Sequence, residues 1–209
     1  MPRYKNSDRQ EIMGQTRQRL LQAATTEFAR EGYARANINR ISRAAGYAKG
    51  TVYNYFASKR ALMMALIDEI AEAHFDYVAG HVLQEDIPAR RLERFFEAGF
   101  DWVTDNLHRA RVMFITLNGP DREFKVHMYE VYQPMFQLVG RDIVALGVEQ
   151  ESFRQVDPEM AANLLMTIYL GVGSQVNERG KHWFTPGQVT DLLLDGLRKQ
   201  NQVHSGDQE

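Results

Sequence analysis

The chain has 209 residues, 44% hydrophobic and 25% charged, with no cysteine and a formal net charge of −2. That apolar content suffices for a core, and the missing cysteine excludes disulfides, thiolate metal sites and cysteine nucleophiles. The longest apolar stretches, residues 61–67 and 164–173, fall short of the roughly 18 residues a membrane span needs, and the polar, basic N-terminus lacks a signal-peptide core, so a cytoplasmic protein without a membrane partner is expected.

Charge is unevenly placed. Residues 1–60 hold 12 Lys+Arg against 4 Asp+Glu, a net of +8; residues 61–209 hold 13 against 23, a net of −10, and the two sum to −2. A positive first third is the electrostatic footprint of a polyanion-binding head, while the acidic remainder would repel DNA. Residues 1–15, with Arg3, Lys5 and Arg9, are expected to be a flexible basic arm, either a solvated tail or a minor-groove arm. A first helix is expected over 16–30.

A second short helix carries Ile38, Ile41 and Ala45 on one stripe, with Asn37 as its N-cap and Gly46 as a left-handed stop. The next segment puts Val52 and Phe56 on one inward face, leaving Thr51, Asn54 and Tyr55 to point elsewhere. Asn pairs with adenine edges and the Thr methyl with thymine, whereas Tyr53, Tyr55 and Lys59 suit phosphates. Gly50 would let this helix approach the sugar-phosphate backbone. Two short helices about a glycine turn read as a helix-turn-helix, with the second helix as the major-groove reader.

Residues 16–62 resemble the DNA-binding domain of TetR/AcrR-type transcriptional repressors. The resemblance is carried by Phe28, Gly32-Tyr33, Ile41, Ala44-Ala45-Gly46, Lys49-Gly50-Thr51-Val52-Tyr53, Tyr55-Phe56, Ser58-Lys59 and Leu62, and a Phe153-Arg154-Gln155-Val156-Asp157-Pro158 stretch is similar to some members. It implies a DNA-contact surface of Asn39, Arg40, Lys49, Gly50, Thr51, Tyr53, Asn54, Tyr55 and Lys59. Asn37 and Ala48 depart from the family's usual Thr and Ser; the second leaves the recognition helix without a side-chain cap, a loss of about 1 kcal/mol.

Beyond the head the periodicity is helical throughout, giving an all-α fold with an N-terminal helix-turn-helix head and a C-terminal multi-helix ligand-binding and dimerisation domain over 63–200. Leu62, Leu66, Ile70 and Ala73 mark a linking helix that ends near Gly80. Asp86 and Pro88 open the next, with Leu92, Phe95, Phe96, Gly99, Phe100 and Val103 facing in. A short helix over 109–117 stops at Asn118-Gly119-Pro120, and one over 121–146 should kink at Pro134. Asp157-Pro158 starts a helix to about 179, and Thr185-Pro186-Gly187-Gln188 is a capping box for the last. Residues 201–209 are expected to be a disordered tail.

Aromatic and methionine residues recur on the middle helices: Phe95, Phe100, Met113, Phe114, Met128, Tyr129, Tyr132, Phe136, Met166 and Tyr169. They read as ordinary core or, together, as an effector site, with His74, His127, Asn163 and Gln175 available to orient a ligand. The resemblance implies such a site. A lipophilic aromatic compound fits the stripes; a fatty acyl-CoA would draw on Arg90, Arg91, Arg94, Arg109 and Arg111 for its phosphates. Leu165, Ile168, Val172, Gln175 and Val176, with Val189, Leu192, Leu193 and Gly196, form stripes that pack on their own subunit or make a four-helix homodimer interface, which the resemblance favours. A homodimer would read a palindromic double-stranded operator and release it on binding a small hydrophobic effector. A helical ligand-binding module without a DNA role is the alternative. No catalytic motif occurs, so no enzyme activity, metal or cofactor is expected.

Overall fold

The computed structural model describes residues 6–173, 175 and 182–197. Among them the chain is helical, without strands, and divides into two compact units. The first comprises the residues up to Ala73 together with Asn106–Val131; the second comprises His74–Asp105 and the residues from Tyr132 onward.

In the first unit, α1 (Asn6–Arg35) is interrupted at Gly32, which takes φ 71, and α2 (Ile38–Ala44) follows. The expected flexible arm is corrected here, because residues 6–15 continue α1. No proline interrupts them, and Gln15 donates to Glu11 one turn back at 3.3 Å. After α2 comes a single 3-10 turn (Thr51–Asn54), then the start of α3 (Lys59–Val82), capped where the Ala61 N–H donates to Ser58 Oγ. α5 (Leu107–Leu117) and α6 (Arg122–Val131) complete the unit. Leu20, Leu21, Phe28, Ile41, Val52, Leu62 and Leu66 are fully buried, the periodic positions of their helices. Arg60, at the start of α3, donates to Asp121 Oδ2 (2.9 Å) and Glu123 Oε2 (2.6 Å) at the start of α6 and lies over the Phe124 ring. The expected head boundary at residue 62 therefore falls inside a larger packed unit.

The second unit holds the end of α3 and α4 (Pro88–Asp105). The expected kink at Pro134 is a break. Proline cannot donate into the preceding turn, so α6 ends at Val131 and α7 (Gln133–Gln137) restarts with Pro134 in its first turn. A π-helical segment (Leu138–Ala145) and α8 (Leu146–Glu149) follow. Gly140 in the π segment sits where a Cβ would lie 3.4 Å from the Pro158 carbonyl and Ala162, so its absence lets α9 (Pro158–Gly173) pack close. α10 (Pro186–Leu197) begins with the expected capping box: the Gln188 N–H donates to Thr185 Oγ1 and the Thr185 N–H to Gln188 Oε1. The core gathers Leu92, Phe95, Phe96, Trp102, Val139, Ile143, Met166 and Leu194.

Candidate functional site

The exposed rim of the first unit begins at Asn37, an extended residue whose Oδ1 accepts the Asn39 N–H at 2.9 Å and caps α2. Asn37→Ala should cost about 1 kcal/mol, read as a lower urea midpoint at unchanged slope, because the Asn37 backbone N–H keeps its own bond to Glu27. Past α2, Gly46 and Gly50 both take φ 84, the left-handed region that a Cβ would oppose. Between them the Tyr47 hydroxyl bonds Thr16 Oγ1 at 3.1 Å and pins the loop to α1.

Where a regular recognition helix was expected, the segment is only a 3-10 turn. Gly50 supplies no side-chain cap, and the β-branched and aromatic residues that follow are poor helix formers. Val52 anchors the turn from below; it is fully buried and its N–H faces Ser42 Oγ at 3.4 Å. Lys49, Tyr53 (55% exposed) and Asn54 are left outward, with Thr51 and Tyr55 half-buried beside them. The structure thus brings these five onto one edge.

Two further expected contacts, Arg40 and Lys59, are engaged within the protein. Arg40 Nε lies 3.0 Å from Glu27 Oε1, and that buried carboxylate also accepts the Asn37 N–H (2.9 Å) and pairs with Arg30 (3.0 Å). Lys59 Nζ donates to the Ala34 carbonyl at 3.0 Å and sits over the Tyr33 ring; burial holds its pKa below the usual lysine range, against the pull of Glu27. Both side chains fasten α1 to α2 and α3. Asn39 is half-buried, and Gly50 forms the bend. Sequence reasoning missed Glu27, although a carboxylate three residues beyond Ala24 on the apolar stripe of α1 was a visible signal.

The expected effector residues do not form one cluster. Met113 and Met128 are buried in the first unit, whereas Phe114 (48% exposed) and Tyr129 (55%) face outward there. On α5 and α6 the inward positions are Val112, Met113, Phe124 and Met128, and the next residue along turns out by about 100°. Asn163 is exposed and returns its Nδ2 hydrogen to the Glu159 carbonyl of its own helix at 2.8 Å. Phe95, Phe100, Tyr132, Met166 and Tyr169 are buried together in the second unit, with Phe136 half-buried.

At their centre stands His74, fully buried. Its Nδ1 is 2.9 Å from the Tyr132 hydroxyl and its Nε2 2.6 Å from the Tyr169 hydroxyl. Trp102 stacks on the imidazole with ring centroids 4.3 Å apart, and Phe95 lies 4.5 Å from the Tyr169 ring. Burial holds the imidazole down to about 3 and pushes both phenols up, so all three groups are neutral at ordinary pH.

The stripes on the last helices shift register. Leu165 and Val189 are buried within their own subunit, which removes them from the expected association face; Ile168, Val172 and Leu193 are half-buried. Leu192 (77% exposed), Gln175 and Gly196 face outward, joined by the unforeseen Met160 and Leu164, one turn apart on α9, and by Trp183 and Phe184 ahead of α10. The i,i+4 spacing of Met160 and Leu164 was a visible signal, but polar Asn163 and Thr167 beside them mask the apolar pair. Val176, residues 1–5 of the expected arm and the 201–209 tail lie outside the described residues.

Residues 20–66 match the sequence model of bacterial regulatory proteins of the tetR family. The HTH-type transcriptional regulator YvdT of Bacillus subtilis (strain 168) is 35% identical over 152 residues, 72% of this chain and 77% of that protein. Among solved structures, the transcriptional regulator FadR of Bacillus subtilis, in complex with stearoyl-CoA, superposes with a TM-score of 0.74 at 16% identity, covering 85% of this chain and 95% of its own. AibR, in complex with isovaleryl coenzyme A and operator DNA, gives a TM-score of 0.69 at 18% identity, covering 88% and 98%. With a cationic helix-turn-helix rim, an all-helical fold shared with these regulators and a relative matched along most of its length, the chain belongs to the tetR family of bacterial regulatory proteins.

Proposed function

We propose that the chain is a cytoplasmic, effector-responsive transcriptional repressor that binds a palindromic operator as a homodimer. The observation that carries this reading is the exposed edge of Lys49, Tyr53 and Asn54 on a segment whose first 60 residues hold a net charge of +8. Lys49 and Tyr53 hold phosphates, Asn54 and Thr51 reach base edges, and Asn39, Gly50 and Tyr55 complete the contact. Arg40 and Lys59 act from behind, keeping the turn in place through Glu27 and Ala34.

The exposed apolar side chains of Met160 and Leu164 on α9, Leu192 on α10, and Trp183 and Phe184 ahead of α10 support pairing with a second copy, since isolated exposed apolar residues are ordinary but five on the last two helices and the segment before α10 are not. A two-fold pair would present its two readers about 34–36 Å apart, one turn of duplex. The effector reading rests on the buried ring cluster around His74. The ligands of FadR and AibR support an acyl-CoA. Four of the five arginines named for its phosphates are engaged elsewhere, however: Arg90 with Glu93, Arg91 with the Glu85 and Asp142 carbonyls, Arg94 with Glu85 and Glu97, and Arg109 with Glu69, while Arg111 is exposed on α5 of the first unit. That favours an aromatic effector.

Quantitative DNA binding tests the reading. Against an operator fragment selected from random sequence, Tyr53→Ala and Lys49→Ala should each weaken binding roughly tenfold or more. Lys49→Ala should also flatten the salt dependence by about 0.9 in log K per log salt for each phosphate lost. Unchanged affinity in both variants, or equal affinity for scrambled duplex, would remove the DNA role.

A further inference from the structure

His74, Tyr132 and Tyr169 present a second problem, because a helical core needs none of them. Buried polar groups that satisfy one another add little net stability over apolar side chains of the same shape, and a half-satisfied set is costly. Yet three such groups converge inside the second unit, walled by Phe95, Phe96 and Trp102. Gly99 faces the Tyr169 ring where any Cβ would overlap it, so the ring lies close against the backbone of α4. At Gly99 that backbone is a side-chain-free floor beneath the ring.

We propose that this cluster is the recognition element for the effector, and that the effector it takes is an uncharged aromatic molecule carrying one hydroxyl or carbonyl oxygen, which displaces Tyr169 from the Gly99 floor and replaces its hydrogen bond to His74. The proposal rests on the effector-responsive reading above and specifies the ligand it admits. A neutral imidazole carries one proton, so it donates to one phenol and accepts from the other. By exchanging tautomer and turning the Tyr132 hydroxyl, His74 and Tyr132 meet either an incoming hydroxyl or an incoming carbonyl. The rings of Phe95 and Phe96 that hold Tyr169 favour a flat partner in its place over an aliphatic chain.

Charge is what the site refuses. The described residues of this unit contain five Lys or Arg side chains, all arginine, and each has a partner: Arg90, Arg91 and Arg94 as above, Arg141 on Asp142, and Arg154 on the Gly196 carbonyl. The imidazole does not make up the deficit, since burial keeps it unprotonated down to about pH 3. A carboxylate or phosphate entering here would be stripped of water with no unengaged Lys or Arg among the described residues of the unit to meet it.

Calorimetric titration of the full chain, without DNA, with two size-matched pairs at about pH 7.5, where the acids are ionised, tests this: acetophenone against benzoate, and 4-isopropylphenol against 4-methylbenzoate. The uncharged member of each pair should bind about tenfold or more tighter. Each variant is first checked for an unchanged far-ultraviolet dichroism spectrum; Tyr132→Phe, which removes the hydroxyl that stays on His74, should weaken the uncharged members several-fold, and Tyr169→Phe, which removes the bond the ligand must replace, should tighten them several-fold. Carboxylates binding as tightly as their partners, no saturation by any of the four, or tyrosine variants that bind the uncharged probes like the parent would each overturn the proposal. Operator binding is measured apart from this, so loss of the DNA role and loss of ligand discrimination remain distinguishable.

Discussion

Gly99→Ala should destabilise the protein by about 2–4 kcal/mol, a reversal of what the substitution does in most helices. In a helix interior alanine is better than glycine by up to about 1 kcal/mol. At Gly99 the new methyl would overlap the ring and hydroxyl oxygen of Tyr169. The ring cannot yield while its bond to His74 holds: it is buried, its centroid lies 4.5 Å from that of Phe95 and 5.9 Å from that of Phe96, and its hydroxyl is 2.6 Å from His74. Relief requires breaking that bond or moving α4 from α9. Overpacking costs about 1–3 kcal/mol and a buried hydrogen bond left open about as much again, against the propensity gain. For a chain of this size the melting temperature should fall by roughly 5–15 °C. Gly80→Ala on α3 is the control, since a Cβ there meets nothing within 4 Å and should stabilise slightly. A Gly99→Ala protein melting within a degree or two of the parent would mean that Tyr169 does not occupy the place described. If it does, the double variant Gly99→Ala with Tyr169→Ala should lose less than the sum of the two single losses, a non-additivity expected of residues in contact.

Gly99 shows what a one-dimensional pattern can and cannot say. Its place on the inward stripe of Leu92, Phe95, Phe96 and Phe100 was legible, because a 3.6-residue period marks the buried face of any helix. Its partner was not, because periodicity carries no information about which helix arrives opposite. The effector stripe suffered most from this: Met113 and Met128 belong to one packed unit and Tyr132 and Tyr169 to the other, though all four read alike as apolar positions. Local chemistry fared better. Asn37, Thr185 with Gln188, and Gly46 each do what their side chains or lack of one require, since caps and positive φ are decided within a few residues. Lys49, Tyr53 and Asn54 were readable as an outward set because Val52 and Phe56 fix the inward face. The 3-10 geometry of that turn was not, because a short helix is settled by the packing of its ends and not by its period. Arg40 looked free for DNA, since nothing in its neighbourhood in sequence reveals that Glu27, 13 positions earlier, would fold beneath it. The shift from Leu165 to Leu164 as the exposed edge is an error of a single residue, which on a helix is 100°.

Mild acid should destabilise the protein through His74 before Asp121 is protonated. In the unfolded chain an imidazole takes up its proton near pH 6.5. In the folded chain burial holds His74 down to about 3, with one tyrosine hydroxyl on each ring nitrogen. Between those values the unfolded state binds a proton that the folded state refuses, so the unfolding free energy falls as pH falls. The slope approaches about 1.4 kcal/mol per pH unit for one proton. The contribution is fully present above about pH 6.5 and is spent progressively down to about pH 3. The carboxylate effect has the same direction but a lower window: Asp121, held down chiefly by the Arg60 guanidinium, stabilises the fold above its unfolded value of 3.8 and loses this as pH drops through its lower folded value. From about pH 6.5 to 4.5 the His74 share therefore stands alone of the two, at roughly 2–3 kcal/mol. His74→Gln isolates it. Glutamine offers a donor and an acceptor to the two tyrosines but does not titrate, so the variant should be less stable at neutral pH yet lose about one proton's worth less of its urea stability across that range. Parallel pH profiles for the two proteins would show that the imidazole is already protonated in the fold, and with it the neutrality that makes the site refuse anions would be lost.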